Sequence, residues 1–414
     1  MKKNIIAGLD LGTTKVCAVI AEQDGTDINV LGFGAVESTG LTRGQVSNLT
    51  KTAEAISQAM DKAQTIAGVE ISRVNVGVAG EHIRSLRHRN YVTISNPEKE
   101  IMREDIIRLK EDVKTIAIPS ESQILHIIPE EFIVDTHSGI EDPIGMCGSK
   151  LEAVNHVVIA SSTSLRNIQR SIERAGYEVG NYILQPLASS ASVLEENEID
   201  LGVILIDIGG GTTDVAIFHN KSIKYTKVFG VAGNQVTRDI RESLGIVTSE
   251  AEQLKKNYGY ATQKAIVKEE EILIKGVGAR GNIKIPVTLL TQIIHVRMKE
   301  LFAFIDKDLR QTGLKNKVKA GVVLTGGGSL LHGCVELAEE VFGLPAKIGV
   351  PEEFNVPIPK EIQKPEFATV AGLIRGLPDN IADEADNIEK NKVNKNKKQF
   401  TGFFKKVLDF FDEL

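Results

Sequence analysis

Cysteine is scarce here, three residues in 414, and Cys17, Cys147 and Cys334 stand far apart in the chain. An odd, dispersed set does not make the disulfide framework of a small secreted scaffold, so the expected compartment is reducing and the expected address cytoplasmic. Long apolar runs are missing too. No stretch approaches 18 uninterrupted apolar residues, which excludes a conventional spanning helix and leaves peripheral membrane contact as the expectation. The opening MKKNIIAGLDLG has two lysines, but only residues 5–9 are apolar before Asp10 interrupts, short of a secretory signal core. Basic excess is absent: a formal net charge of −6 argues against wholesale nucleic-acid binding. The P-loop pattern ending Gly-Lys-Ser/Thr is absent, as is a Gly-x-Ser-x-Gly elbow, and no histidine pairs with a neighbour into a zinc set. Aromatic residues are only 5% of the chain, so their distribution is informative.

What is present is an ordinary globular composition, 42% apolar and 25% charged, over a length that supports two or more hydrophobic cores. Short apolar runs alternate with amphipathic helical patterns, which predicts an α/β protein. Strands are expected over 5–9, 16–21, 74–78, 154–160, 202–207, 215–219 and 321–324. Helices are expected over 50–67, 103–115, 164–175, 235–244, 288–312 and 330–342. One echo organises the pattern. GLDLGTTKVCAVIA and LIDIGGGTTDVAIF share a strand, Asp-x-Gly, Thr-Thr and a second strand, with Asp10 and Asp207 lying 197 residues apart. This duplication suggests two similar α/β halves facing one another.

Chemistry concentrates in those two loops. Gly209, Gly210 and Gly211 can take positive φ and let consecutive N–H groups converge on an anion, while Thr13, Thr14, Thr212 and Thr213 add hydroxyl donors. Asp10 and Asp207, at strand ends, can hold Mg²⁺ through its waters and so neutralise a polyphosphate. Two Gly-rich hairpin turns with Asp and Thr as turn residues would read the same way, and only the matched pair favours a phosphate clamp. A third cluster, Gly326, Gly327, Gly328 and Ser329, ends a strand before an apolar helix; a tight strand-to-helix turn explains it almost as well as a base or ribose would.

The end of the chain changes character. LPDNIADEADNIE carries five acids and no base, and KNKVNKNKK then carries five lysines and no acid, which predicts a disordered linker over 377–399. Beyond it, FTGFFKKVLDFFDEL holds five of the fourteen phenylalanines. At about 100° per residue Phe400, Phe403, Phe404, Val407, Leu408, Phe411 and Leu414 share one helical face, with charged and small residues opposite. Docking on the core is the usual fate of such a stripe. The charged linker and preceding lysines favour an anionic membrane surface instead.

Taken in order, DLGTTK, ILQPLASSASV, DIGGGTTD, LTGGGSLLHG and FATVAGLIRG resemble the actin, Hsp70 and sugar-kinase superfamily: first phosphate loop, first connecting helix, second phosphate loop, adenosine loop and second connecting helix. LTRGQVSNLTKTAEAI, VGVAGEHIRSL, DPIGMCGSKLEAVNHVVIA and VFGVAGNQVTRDIRESLGIVTSEAEQLKKNYG are similar to the FtsA family, its bacterial cell-division branch. The resemblance runs to about residue 376. It implies an actin-like ATPase fold, two similar α/β halves around a nucleotide cleft, with an inserted small subdomain in the first half and a C-terminal amphipathic helix. The implied parts are a first actin-like subdomain (1–83 and 166–198, completed by 367–376) and an inserted FtsA-type subdomain (84–165). A second actin-like subdomain (199–230 and 306–366), a small subdomain (231–305), the linker and the membrane-targeting helix (400–414) follow.

The same resemblance implies ATP in the cleft, with Asp10 and Asp207 facing Mg²⁺ through water. Gly12, Thr13, Thr14 and Lys15 on one side, and Gly209, Gly210, Gly211, Thr212, Thr213 and Asp214 on the other, would hold its phosphates. Gly326, Gly327, Gly328 and Ser329 would lie at the adenosine, and Glu252 and Lys255 at ribose and base. Gln185 falls where actin-like proteins place a glutamine near the attacking water. An amide cannot serve as a carboxylate base, so any ATPase activity is expected to be slow and linked to assembly. As partners the family implies further copies of the chain in filaments, the C-terminal peptide of the tubulin-like FtsZ on the small subdomain with Arg297 as a contact, later division proteins, and the cytoplasmic face of the membrane at the division site. An Hsp70-like chaperone ATPase and a small-molecule kinase are the superfamily alternatives, and neither accounts for the tail.

Overall fold

The computed structural model describes residues 4–24, 27–96, 98–275, 281–352 and 358–375. The linker over 377–399 and the helix expected over 400–414, with all its apolar residues, lie outside the described residues.

Two five-stranded sheets carry the same topology. The first runs in the order Glu178–Leu184, Arg73–Val78, Asn4–Leu11, Lys15–Asp24, Asp27–Glu37; the second runs Ala346–Ile348, Gly321–Thr325, Val203–Ile208, Thr213–His219, Ser222–Phe229. In each, the central strand pairs antiparallel with the next strand in the chain and parallel with a strand brought back by a helical crossover. The register repeats as well: Asp10 lies opposite Cys17, and Asp207 opposite Asp214. The sequence echo is therefore a repeated structural unit, though not in the letter-for-letter alignment. The ladder sets Thr13 and Thr14 against the positions of Gly210 and Gly211, so the two Thr-Thr pairs are offset by two residues.

The central strands read as unbroken apolar runs because both faces are covered. In the first sheet Ile56 and Met60 of helix Leu49–Ala67 pack on one face with Leu9, Ala18 and Ile20, while Val370, Ala371 and Ile374 of helix Ala368–Arg375 pack on the other with Cys17, Val19 and Ala21. Each fully buried large side chain contributes roughly 1.5–3 kcal/mol. The Asp27–Glu37 strand, not anticipated above, explains its own weak signal. A β-carbon on Gly32 would overlap the carbonyl oxygen of Ala63, and one on Gly34 that of Ala59, so the helix lies directly on that strand's backbone. Asn48 caps this helix by accepting from the Lys51 N–H at 3.0 Å, and Gly68 ends it at φ 67°.

Between the sheets, helices Gln185–Val193 and Ala368–Arg375 cross in contact. A β-carbon on Gly372 would overlap the Ala188 carbonyl, and Ser192 Oγ donates to the Ala368 carbonyl at 2.7 Å. The helix expected over 330–342 begins later, at Cys334, because Gly333 takes φ 77° after a short 3₁₀ turn at Gly327–Leu330. The other expected helices and strands are present with shifts of a few residues.

A separate four-stranded antiparallel sheet, in the order Ile83–Thr93, Lys150–Ser161, Ser122–Val134, His137–Ile140, interrupts the first half. Helix Arg103–Val113 covers it through Leu109 and Val113. Arg87 and Arg89 share one face of their strand, Arg84 is exposed on the other, and Pro129 sits at a bulge, which hides the Ile83–Thr93 and Ser122–Val134 strands from a search for apolar runs. In the second half, helices Gly233–Leu244, Thr248–Tyr258 and Val287–Gln311 with the hairpin Glu271–Ile274 and Ile283–Pro286 share one core with the second sheet.

His126 and His156 are buried where the inserted sheet meets the two halves. Burial pushes each down to about 4, with His156 adding to the effect on His126 and Lys224 to that on His156. The unfolded chain therefore binds these protons between about pH 6.5 and 4 while the folded chain does not. Their neutral burial costs nothing above that window and destabilises increasingly as pH falls through it. Urea denaturation at pH 7 and pH 5 should show a loss on the order of 1–2 kcal/mol per histidine, reduced in a His156→Asn variant. Gly372→Ala should cost about 1–3 kcal/mol by overpacking; an unchanged urea midpoint would show that the helix crossing yields.

Candidate functional site

The two hairpins place their loops tip to tip. The turns 12–15 and 209–212 join strands of identical register, and β-carbons on Gly210 and Gly211 would overlap the side chains of Thr14 and Thr13 respectively. None of Gly209, Gly210 and Gly211 takes positive φ, contrary to the conformational reason given above; close approach is what demands glycine at 210 and 211. The Gly209 N–H closes its own turn on the Thr212 carbonyl at 2.9 Å, and the carbonyls of Gly209 and Gly210 accept from Gly233 and Asn234 N–H groups at 3.0 and 2.8 Å. Gly12 lies tight against the Lys15 carbonyl, and the Gly44 N–H reaches Thr13 Oγ1 at 3.4 Å.

Three aspartates are buried behind these loops. Burial pushes Asp10 up to about 7, with Lys15 opposing and Asp207 adding. Asp207 is raised by burial against hydrogen bonds from Ser189 and Thr369, and Asp214 is raised well above the usual carboxylate range by burial and then by Asp207. Asp207 Oδ2 accepts from Ser189 Oγ at 2.8 Å and from Thr369 Oγ1 at 3.4 Å. Asp214 Oδ2 accepts from Thr212 Oγ1 at 3.2 Å, while its Oδ1 is buried without a partner. Three carboxylates that feel one another in a dry site call for a cation. Their oxygen chemistry fits Mg²⁺, and the unpaired Asp214 oxygen is a free acceptor for a hydrated ion. No three such groups among the described residues stand close enough to ligate one ion directly.

The remaining candidates gather around them. Gln185 Nε2 donates to Asp10 Oδ1 at 2.9 Å from the first turn of its connecting helix. Lys15 Nζ donates to the Glu366 carbonyl and lies 3.5 Å from the centre of the Phe367 ring, at the end of the first loop. Gly326, at φ 79°, brings the third loop onto Asp207, and Gly328 packs on Ile208. Gly327 continues that loop, where Ser329 Oγ binds back to the Gly326 carbonyl at 2.7 Å and so acts as a turn residue. Thr213 Oγ1 donates to the Val231 carbonyl at 2.8 Å. Glu252 and Lys255 pair with each other at 2.7 Å, and Lys255 also reaches Thr237 Oγ1 at 2.8 Å and the Gly233 carbonyl at 3.1 Å, beside the second loop.

Ser189 and Thr369 were missed from sequence; the first connecting helix carries three serines, and nothing in the letters marks the one that faces Asp207. Arg297 lies apart from this site. Its guanidinium holds Asp239 at 2.5 and 3.2 Å and also pairs with Glu300, bracing helix Val287–Gln311 against Gly233–Leu244.

Comparison with known proteins places this arrangement. The family described as cell division protein FtsA matches residues 204–372, and the SHS2 domain inserted in FtsA matches residues 80–159, the inserted sheet. A cell division protein FtsA of Neisseria meningitidis serogroup B is 40% identical over 90% of this chain and 90% of its own. The chain belongs to the FtsA family. Its actin-like fold is shared more widely than its sequence. A PilM–PilN type IV pilus biogenesis complex gives a TM-score of 0.65 at 18% identity, covering 89% of this chain and 97% of that one. MreB5 of Spiroplasma citri bound to AMPPNP gives 0.54 at 15% identity, covering 96% and 98%. A MamK double helical filament gives 0.51 at 13% identity, covering 90% and 99%. Among the described residues of this FtsA-family chain, no helix is long and apolar enough to cross a membrane.

The buried acids set a stability expectation. Asp10 binds its proton up to about pH 7 when folded but only to 3.8 when unfolded, so its burial cost is absent at low pH and grows as pH rises through that window. Asp10→Asn, measured without nucleotide in urea at pH 7.5, should therefore stabilise the protein by about 1–3 kcal/mol. A loss of stability instead would mean that the carboxylate is satisfied in the empty cleft.

Proposed function

We propose that this FtsA-family protein binds ATP with Mg²⁺ in the cleft, polymerises, and tethers FtsZ filaments to the cytoplasmic face of the membrane, where it recruits later division proteins. The convergence of three buried aspartates behind two apposed Gly-Thr loops carries this reading, because only a cation and its polyanion turn that costly arrangement into a favourable one. Mg²⁺, when bound, would screen the phosphates' charge. Asp10 and Asp207 would hold its waters, Thr13 and Thr14 with neighbouring backbone N–H groups would bind phosphate oxygens, and Glu252 and Lys255 would orient the sugar; the Thr212 and Thr213 hydroxyls, expected from sequence to join them, already donate to Asp214 and to the Val231 carbonyl. Gln185 would position a water without accepting its proton, which keeps hydrolysis slow. The nucleotide-bound state of MreB5 and the filament of MamK, on the same fold, support the nucleotide and self-association parts by analogy of fold. The chaperone and kinase alternatives are not favoured.

Helix Val287–Gln311 offers the surface for FtsZ. Leu289, Val296 and Phe304 are exposed on it beside Lys299 and Lys307, a pattern suited to a peptide with acidic and apolar side chains. Arg297→Glu, which also sets an acid against Asp239, would weaken capture partly by loosening the helix pair. Val296→Glu is the cleaner probe.

Residues 400–414 would anchor the assembly. One such helix binds reversibly, and a filament multiplies many weak anchors into firm attachment. The test is flotation of purified FtsZ with anionic liposomes and ATP, adding the full chain, the chain ending at Gln399, or Val296→Glu. FtsZ should float with the full chain alone. Equal flotation by the truncated chain would remove the anchor, and equal flotation by Val296→Glu would move the FtsZ surface elsewhere.

A further inference from the structure

Among the described residues, a hydrogen bond joins the inserted sheet to the start of the helix that carries Gln185. Strand Glu178–Leu184 is an edge of the first sheet and ends at Leu184, the residue before Gln185. The Leu184 N–H donates to His126 Nε2 at 3.0 Å. An amide N–H can only donate, so the imidazole accepts and its proton sits on Nδ1. Burial keeps this imidazole neutral, and therefore able to accept, at neutral pH.

The start of the connecting helix needs this outside hold. Leu184 takes extended backbone angles, Pro186 follows in the first turn, and no side chain caps the helix. Gln185 thus reaches Asp10 from a helix start held by two contacts of Leu184, its parallel pairing with Val78 and its bond to His126. A second histidine of the same sheet meets the other half. His126 lies opposite Val158 and His156 opposite Ile128, which puts both imidazoles on one face. His156 Nε2 meets Thr226 Oγ1 at 3.0 Å on strand Ser222–Phe229. A small cavity lies at this three-way junction, lined by Ile83 and Arg84 of the inserted sheet, Leu184 and Pro186 of the first half, and Thr226 and Val228 of the second.

We propose that His126 is a positioning residue of the ATP site: by holding the Leu184 N–H it sets Gln185 against Asp10, which makes the inserted subdomain part of the hydrolytic machinery. This rests on the reading that the cleft takes ATP. Displacement of the inserted sheet by a bound partner then reaches Gln185 within two residues of chain.

The experiment measures phosphate release by the full chain at saturating Mg²⁺ and ATP, alongside ATP affinity from displacement of a fluorescent ATP analogue. His126→Leu, which removes the acceptor, should slow release at least fivefold with affinity within twofold of the parent. His126→Gln, whose amide oxygen can accept the Leu184 N–H, should restore at least half the parent rate. Thr226→Val, which breaks the other histidine contact, should change neither quantity, and His126→Leu should add no further loss to Gln185→Ala. If His126→Leu does not fold, His126→Asn, polar but too short to reach, replaces it with the same expectations. Release at the parent rate by the acceptor-less variant, failure of glutamine to rescue, an equal loss in Thr226→Val, or independent multiplication with Gln185→Ala would each overturn the proposal. A parent chain that binds ATP but releases no phosphate overturns it alone; a parent chain that binds no ATP overturns the nucleotide reading together with it.

Discussion

Everything in the site hangs on the crossing of two helices that have no side chain between them at their closest point. Gly372 lies against the Ala188 carbonyl, and on either side of that contact Ser192 reaches the Ala368 carbonyl while Ser189 and Thr369 meet at 3.0 Å over Asp207. The crossing fixes the second loop's aspartate to both connecting helices at once, and Gln185, at the start of one of them, to the first loop's aspartate. Any rotation of the halves about this point must change the distance between the loop tips. A ligand seated between Thr13 and Gly211 would therefore have to change the relation of the two halves.

The acids behind the loops show what that geometry costs. Asp207 and Asp214 face each other across one ladder rung, a like-charge pairing that destabilises a sheet, and burial from solvent deepens the penalty. The first hairpin avoids it by placing Cys17 opposite Asp10. The repeat is thus symmetric in backbone and asymmetric in charge, with two of the three acids on the second half. A hydrated cation bound there would neutralise the second half's surplus first and draw Asp10 toward it, so charge balance itself favours closure.

Much of this was legible in the sequence, and the reasons for the exceptions are physical. Asp10 and Asp207 stood out because a charge at the end of an unbroken apolar run is costly anywhere but at a site. The duplicated hairpins were visible as letters, yet matching letters shifted the threonines by two places, since only ladder register shows that Thr13 and Thr14 occupy the positions of Gly210 and Gly211. The glycines were recognised and their reason was not: positive φ is a local property, whereas the opposing threonines arrive from 196 and 198 residues away in sequence. Ser189, Thr369 and His126 were unreadable for the same cause, because each acts through a partner that only the folded chain supplies.

The position of the inserted sheet follows from these constraints. A domain resting on one half alone would ride with it and learn nothing of the other. This one is bonded to the first half at Leu184 and to the second at Thr226, where the Ser85 hydroxyl also donates to the Thr226 carbonyl at 3.1 Å and Lys224 Nζ donates to the Glu130 carbonyl at 3.0 Å. Opening the cleft must therefore strain or break one set of those bonds. The inserted sheet also shares a core with the first half, Ile128, Val158 and Ala160 clustering with Leu165 and Ile168, and the Leu184 bond is the place where relative motion of the halves would reach Gln185 directly. An insertion placed there couples the state of the cleft to the surface that the insertion displays, and it does so with buried neutral groups whose hydrogen bonds have no water to replace them.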